Sequence, residues 1–284
     1  MDSRNGTQAL VSPAWLDAHA QDRTVRLIEI AGLRQEDLAA YRAGHVPGAT
    51  AWRWKDMLWD PYMREFPSPS AFAEQLGRHG IDNDTTVVIY GEDVQFGIYA
   101  WWVFRYCGHA DVRVLDGGRY RWQAEGRRLT TELPPDALPV DYQVVERREH
   151  MRINRDNVLA ALNSADTVIV DARSPEEYSG KRVGGPGGPD VGAVRYGRIP
   201  GARHLYYADL FNADKSFKSA ADVAALLDAR GIKHGHEVIA YCRMSHRATV
   251  VYFALTELLG FNQIRVYDGS WTEWGNLVGV PIER

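Results

Sequence analysis

Short apolar runs along the chain alternate with segments whose apolar residues recur at helical spacing. In the second half, Thr167-Val-Ile-Val-Asp171 is rich in β-branched residues and predicts a strand. Ser174-Pro-Glu-Glu177 reads as a helix start, with a capping hydroxyl, a proline and two acids in the first turn. Ala220 to Arg230 is amphipathic and closed by Gly231, which predicts a helix. Glu237 to Tyr241 predicts a short apolar strand. Ala248 to Leu259 predicts a long apolar helix ended by Gly260, and Ile264 to Tyr267 predicts another strand. Strands alternating with helices predict an α/β architecture with a mainly parallel sheet. Ligands of such sheets sit outside the carboxyl ends of the strands.

The pattern occurs twice. Displaced by 152 residues, Gly108 falls on Gly260, Arg113-Val114 on Arg265-Val266, Asp116-Gly117 on Asp268-Gly269, and Trp122 on Trp274. Upstream, with small gaps, Gly44-His-Val-Pro-Gly48 pairs with Gly197-Arg-Ile-Pro-Gly201, and Val87-Val-Ile-Tyr90 with Val238-Ile-Ala-Tyr241. Leu27-Ile-Glu-Ile30 pairs with Ile169-Val-Asp171-Ala. The chain therefore reads as two copies of one domain of about 130 residues. The proline-rich stretch 130–141 reads as the linker, which sets the domains at 1–129 and 142–284.

Composition narrows the function classes. The 284 residues are 45% hydrophobic and 25% charged, as expected for a folded globular protein of about two domains. A net charge of -4 argues against nucleic acid or an anionic membrane as partner. No apolar run is long enough to predict a membrane span. Met1 to Asp22 lacks a basic stretch followed by an apolar one, so no signal peptide is expected and the expected location is the cytoplasm. The two cysteines, Cys107 and Cys242, cannot form a disulfide framework or a four-cysteine zinc site.

The candidate chemistry lies after the strand Glu237–Tyr241, in Cys242-Arg243-Met244-Ser245-His246-Arg247. A thiol there faces the start of the next helix, where backbone N–H groups and the helix dipole favour an anion and the thiolate form. Arg243 and Arg247 add positive charge. The other copy reads Gly91-Glu92-Asp93-Val94-Gln95-Phe96-Gly97 at this place, with no cysteine and two acids. The first copy is accordingly expected to be catalytically silent.

Tandem α/β domains with a cysteine loop in the second copy alone resemble the two-domain rhodaneses, a family of sulfurtransferases. The resemblance covers nearly the whole chain. It rests on the Gly-x-x-Pro-Gly segments at 44–48 and 197–201, Asp-Gly-Gly at 116–118, and Asp-Ala-Arg-Ser-Pro-Glu-Glu-Tyr at 171–178. It rests also on Cys242 to Arg247 and Asp-Gly-Ser-Trp at 268–271. It implies two rhodanese-like domains, each a mainly parallel sheet flanked by helices. It also implies a ping-pong reaction in which Cys242 takes the outer sulfur of thiosulfate as a persulfide, releases sulfite, and passes the sulfur to cyanide or a thiol. Arg243, Met244, Ser245, His246 and Arg247 would bind substrate or steady the persulfide, and no metal or organic cofactor is implied. The partners implied are a small anionic sulfur donor and a thiophilic acceptor, which includes a protein acceptor.

Members that prefer 3-mercaptopyruvate carry Cys-Gly-Ser-Gly or Cys-Gly-Ala-Gly. Cys242-Arg-Met-Ser245 is similar instead to thiosulfate-using members, and a dianion gains more from Arg243 than a monocarboxylate does. Many members have a substrate-contacting arginine where this chain has Glu177; Lys181 or Arg182 is the candidate replacement. Two other readings stay open beside thiosulfate transfer: a 3-mercaptopyruvate sulfurtransferase, and a persulfide carrier for a dedicated partner protein. Cysteine phosphatases and arsenate reductases are a more distant comparison, because their Cys-x5-Arg loop is one residue longer than Cys242 to Arg247.

Outside the loop, Cys107 reads as core packing. Gly184-Gly-Pro-Gly-Gly188 lacks phosphate-loop spacing and reads as a flexible surface insertion bordering the active site, about 11 residues longer than the first copy allows. Asp171 and Arg173 are expected to organise the fold by hydrogen bonding. Trp52, Trp54 and Trp59 read either as cleft-lining residues or as core.

Overall fold

In residues 9–32 and 38–284, which the computed structural model describes, ten short strands form two five-stranded sheets. The first eight residues of the polar N-terminal stretch lie outside the described residues. The first sheet contains β1 (Leu10–Val11), β2 (Val25–Ala31), β3 (Ala49–Arg53), β4 (Thr86–Gly91) and β5 (Val112–Leu115). The second contains β6 (Arg152–Ile153), β7 (Thr167–Asp171), β8 (Arg203–His204), β9 (Glu237–Tyr241) and β10 (Ile264–Tyr267). The spatial orders are β1-β5-β4-β2-β3 and β6-β10-β9-β7-β8. They coincide strand for strand, so the internal repeat is a repeat of topology.

Every pairing in both sheets is parallel. The central strands are flanked on both sides, which explains their unbroken apolar composition. Val87 to Ile89 and Val238 to Tyr241 are 0% exposed. Helices run between the strands. Val94–Tyr106 is buried along most of its length, as its apolar composition requires. Ala248–Phe253 is α-helical but continues through a π turn at Ala254–Leu258, where the Thr256 hydroxyl bonds the Tyr252 carbonyl 3.0 Å away. Among the described residues no helix is long and apolar enough to cross a membrane.

The shared motifs have one physical purpose. In the second sheet Tyr241 donates to Asp171 Oδ2 at 2.6 Å, and its hydroxyl oxygen accepts the Ile199 N–H at 3.2 Å. In the first sheet Tyr90 donates to Glu29 and accepts the Val46 N–H at 3.1 Å. The Gly-x-x-Pro-Gly turn is thus pinned to the end of the central strand by one tyrosine. Its last glycine has φ +84° at Gly48 and +72° at Gly201, which side chains with a Cβ adopt at a cost.

The chain divides into two units, Met1–Arg148 with Ala213–Ser216, and Glu149–Asn212 with Phe217–Arg284. The stretch 130–141, read above as a linker, packs along the first unit. Thr130 bridges to His45, the Glu132 carbonyl faces His45 Nε2 at 3.1 Å, and Val140 N–H donates to the Gly77 carbonyl at 2.9 Å. Residues 142–148 also stay with the first unit rather than the second. Pro134, Pro135 and Pro139 have no N–H for a strand ladder, so the segment lies as an irregular arm tied to the first unit by the N–H groups of Thr130 and Val140.

His109 occupies the repeat position of Phe261 and is fully buried. Its ring nitrogens face Tyr142 Oη at 3.1 Å and the Thr85 carbonyl at 3.0 Å. Burial lowers its pKa, against the pull of the Thr85 carbonyl and Asp111, while burial pushes Tyr142 up to about 12. A histidine held neutral when folded loses stability as pH falls below its unfolded value of about 6.5, because the unfolded chain takes up the proton first. The stability advantage of wild type over His109→Phe is therefore expected to shrink between about pH 8 and about pH 5. Urea melts across that range check it; a constant difference would contradict it.

Candidate active site

β9 ends at Tyr241 and leaves Cys242 at the carboxyl end of the central strand of the second sheet, 1% exposed. The loop from Cys242 to Arg247 is held by the segment that follows β10. Ser270 Oγ accepts the N–H groups of Cys242 at 3.2 Å and Ser245 at 3.3 Å, and donates to the Tyr267 carbonyl at 2.8 Å. Trp271 N–H donates to the Cys242 carbonyl at 2.9 Å, and Thr272 Oγ1 to that of Arg243 at 2.9 Å. Ser245 Oγ donates to Asp268 Oδ1 at 2.8 Å, and Asp268 in turn accepts Arg152 at 3.1 Å.

Two serines accept an uncommon backbone to do this. Ser245 has φ +64° and Ser270 +52°. The first copy has Gly118 with φ +51° where the second has Ser270. A non-glycine residue in this region carries strain, and such residues gather at functional sites. Here the strained residue supplies a hydroxyl that glycine lacks, and the hydroxyl closes the cysteine loop.

With those bonds made, the N–H groups of Arg243, Met244 and Arg247 have no acceptor among the described residues. They belong to the loop that begins at the cysteine and are donors suited to a negative charge. Arg247 is nearly buried and gives Nη1 to Glu177 Oε2 at 2.6 Å and Nη2 to Oε1 at 2.8 Å. Burial alone would lower its pKa. The hydrogen bonds to Glu177 and the attraction of Cys242 outweigh that and hold it above the ordinary value. Arg247 is therefore a carboxylate-paired guanidinium whose charge interacts with that of Cys242. Arg243 differs: it is only partly buried, donates Nη2 to the Val191 carbonyl at 2.7 Å, and has a buried Nε with no acceptor.

Met244 is half-buried and His246 is 7% exposed, its carbonyl accepting Thr249 Oγ1 at 2.9 Å. Glu177 is fully buried and is the acid of a capping box, with Ser174 N–H 3.1 Å from Oε2. Its carboxylate clamps Arg247. Lys181 and Arg182, the candidate substitutes, are not assembled with it. Lys181 is exposed, and Arg182 donates to the Gly188 carbonyl at 2.9 Å and lies 4.0 Å from Asp190. Tyr206 and Tyr207 had no role in the sequence pattern. Burial raises the pKa of Tyr206 against the opposing charge of Arg247, and Tyr207 contributes to the field at Arg247.

Asp171 and Arg173 are both 0% exposed. Arg173 bonds Asp171 at 2.7–3.1 Å and the Gly197 carbonyl at 2.8 Å, and lies 4.4 Å over the Trp271 ring. Trp52 and Trp54 are buried in the first unit, Trp59 donates to Tyr99 Oη at 2.6 Å, and Cys107 is buried at a helix end. In the first unit the place of Cys242 belongs to Gly91. There Asp93 is held above the ordinary carboxylate range by burial and by Glu92. That environment repels an anion.

The rhodanese-like domain model matches residues 12–125 and again 154–277. The sulfur carrier protein TtuD of Thermus thermophilus is 44% identical over 281 residues, covering 98% of this chain and 97% of that protein. A Haloferax volcanii protein named "Putative thiosulfate sulfurtransferase" is 40% identical over 282 residues, covering 97% and 96%. The wild-type structure of EanB superposes with a TM-score of 0.82 at 26% identity, covering 97% of this chain and 69% of that one. With both halves matched by one domain model and close relatives over nearly its full length, the chain belongs to the rhodanese-like sulfurtransferase family.

Proposed function

We infer that the protein is a thiosulfate sulfurtransferase, with the first unit catalytically silent. One observation carries this reading: a cysteine at the end of a central strand, beside free N–H donors and two arginines, at a place where the first unit has Gly91, Glu92 and Asp93. The Cys242 thiolate attacks the outer sulfur of thiosulfate. A new S–S bond forms, the bond between outer and central sulfur breaks, and sulfite leaves with the electron pair. The N–H groups of Arg243, Met244 and Arg247 face the persulfide, and the Arg247 field favours its negative charge. Arg243 meets the sulfonate, using donors that its bond to Val191 leaves over. Ser245 and His246 shape the loop. Cyanide or a thiolate then takes the outer sulfur and returns Cys242 to its starting state. The cytoplasm suits this chemistry, since a free thiol stays reduced there.

A second reading, a persulfide carrier that serves a partner protein, is favoured by the name of the Thermus thermophilus relative. One assay separates the readings. Sulfite and thiocyanate release from thiosulfate plus cyanide is measured beside turnover of 3-mercaptopyruvate. Thiosulfate is expected to be the faster donor. Faster mercaptopyruvate turnover would overturn the donor assignment. Single-sulfur uptake by intact mass without multiple turnover would favour the carrier.

A further inference from the structure

The insertion between Gly184 and Arg195, present in the second copy alone, is pinned at its neck, its base and its tip. At the neck, Asp190 Oδ1 accepts the N–H groups of Val183 at 2.7 Å and Gly184 at 2.8 Å. At the base, Arg195 donates to the Trp274 carbonyl at 2.6 Å and the Val280 carbonyl at 2.9 Å, and its own carbonyl accepts Trp271 Nε1 at 3.1 Å. Beside the tip, Asn276 Nδ2 donates to the Gly192 carbonyl at 3.0 Å, while Asn276 Oδ1 accepts Val194 N–H at 3.0 Å. The segment lies at the surface, as its glycines predict, and these bonds tie it to the segments that follow β10.

What it supports is Arg243. The Val191 carbonyl accepts Nη2 at 2.7 Å, and the guanidinium lies against Gly192, whose φ is +119°. A Cβ at Gly192 would come within 2.7 Å of Nη2, 2.8 Å of Nε and 3.2 Å of Cζ. The atoms it would meet are the end of a flexible side chain, so the arginine gives way, while at φ +119° the added Cβ also strains the backbone, an effect that Asn276→Ala below avoids. The Nε that this Cβ would approach is itself buried and has no acceptor. An isolated buried donor of this kind gains from an anionic oxygen.

We propose that residues 190–195 are the donor-selecting element of the site, with Val191 and Gly192 as positioning residues that aim Arg243 at the sulfonate of a dianionic sulfur donor. The inference rests on the sulfur-transfer reading of Cys242. A monocarboxylate donor carries one charge fewer and depends less on this placement.

The test compares three variants. Gly192→Ala introduces the Cβ. Asn276→Ala removes the brace on the Gly192 carbonyl without adding a side chain or backbone strain. Gly187→Ala is the control: its φ is +72°, but a Cβ there meets nothing within 4 Å. Gly192→Ala is expected to raise the thiosulfate KM about tenfold, with kcat changed by no more than about twofold and the mercaptopyruvate KM by less than about threefold. Asn276→Ala is expected to act in the same direction by about threefold, and Gly187→Ala to leave both donors unchanged. A second readout needs no turnover: the rate of Cys242 alkylation by anionic iodoacetate relative to neutral iodoacetamide. That ratio is expected to fall in Gly192→Ala and Asn276→Ala only. Equal effects from Gly187→Ala, or an unchanged ratio in Gly192→Ala, would overturn the proposal. If no protein transfers sulfur but the ratio still falls as expected, the reaction assignment fails and the placement of Arg243 stands.

Discussion

A Cys242→Ser protein is expected to keep its fold and to lose sulfur transfer by a factor on the order of a thousand or more. The fold should survive because the two side chains differ little in size. The loop is held by backbone bonds to Ser270, Trp271 and Thr272, none of which uses the sulfur. The serine hydroxyl can also accept one of the free loop N–H groups. Activity should vanish because a hydroxyl neither ionises near neutral pH nor forms the S–S bond on which the reaction depends. Sulfite release in a single turnover, together with intact mass after thiosulfate treatment, reads this directly. Retained release of sulfite would remove Cys242 from the mechanism.

The second large effect is on stability. Asp171→Ala is expected to cost about 3–5 kcal/mol, because it leaves the fully buried Arg173 cation without its carboxylate. Burial lowers the pKa of Arg173, but Asp171 and Tyr241 more than compensate and hold it above the ordinary arginine value. Tyr241 would lose its acceptor in the same step. The repeat supplies the comparison. Glu29 is the first-unit counterpart, and burial raises its pKa against the hydrogen bond from Tyr90 and the charge of Arg119. Its partner Arg119 is 12% exposed, so water shares the charge. Glu29→Gln is expected to cost less, about 1–2 kcal/mol, because the amide can still accept from Tyr90. Urea unfolding of both variants checks the order. An Asp171→Ala cost below about 1 kcal/mol would show that the bonds joining Asp171 to Arg173 and Tyr241 contribute little to the fold.

Much of the fold was legible in the chain because it is written twice. Tyr90 and Tyr241, Glu29 and Asp171, and the two Gly-x-x-Pro-Gly turns recur at matching places, and each set closes the same hydrogen-bonded junction. The strands Thr167–Asp171, Glu237–Tyr241 and Ile264–Tyr267 match their apolar runs residue for residue. The cysteine loop was legible for a local reason, since strand, thiol, basic residues and helix follow one another without interruption. The role of Ser270 was less visible. Its one signal was that it stands where the first copy has Gly118, a substitution that places a side chain in a glycine conformation. The boundary near residue 148 was not legible, because a proline-rich arm looks the same in sequence whether it packs on a domain or hangs free.

By itself, then, the sequence determined the tandem α/β plan, the asymmetry between the copies and the position of the thiol, all properties of neighbouring residues or of the repeat. Only the tertiary structure decided how the positive charges are held. Arg247 is clamped by Glu177, 70 residues away, and Arg243 is bound to the Val191 carbonyl, 52 residues away. Arg182, closer in sequence to Glu177, is turned to Gly188 instead. Local spacing carries no information about such pairings. They depend on which distant segments the parallel sheet brings to one end of its central strand, and on whether burial leaves a guanidinium with donors to spare.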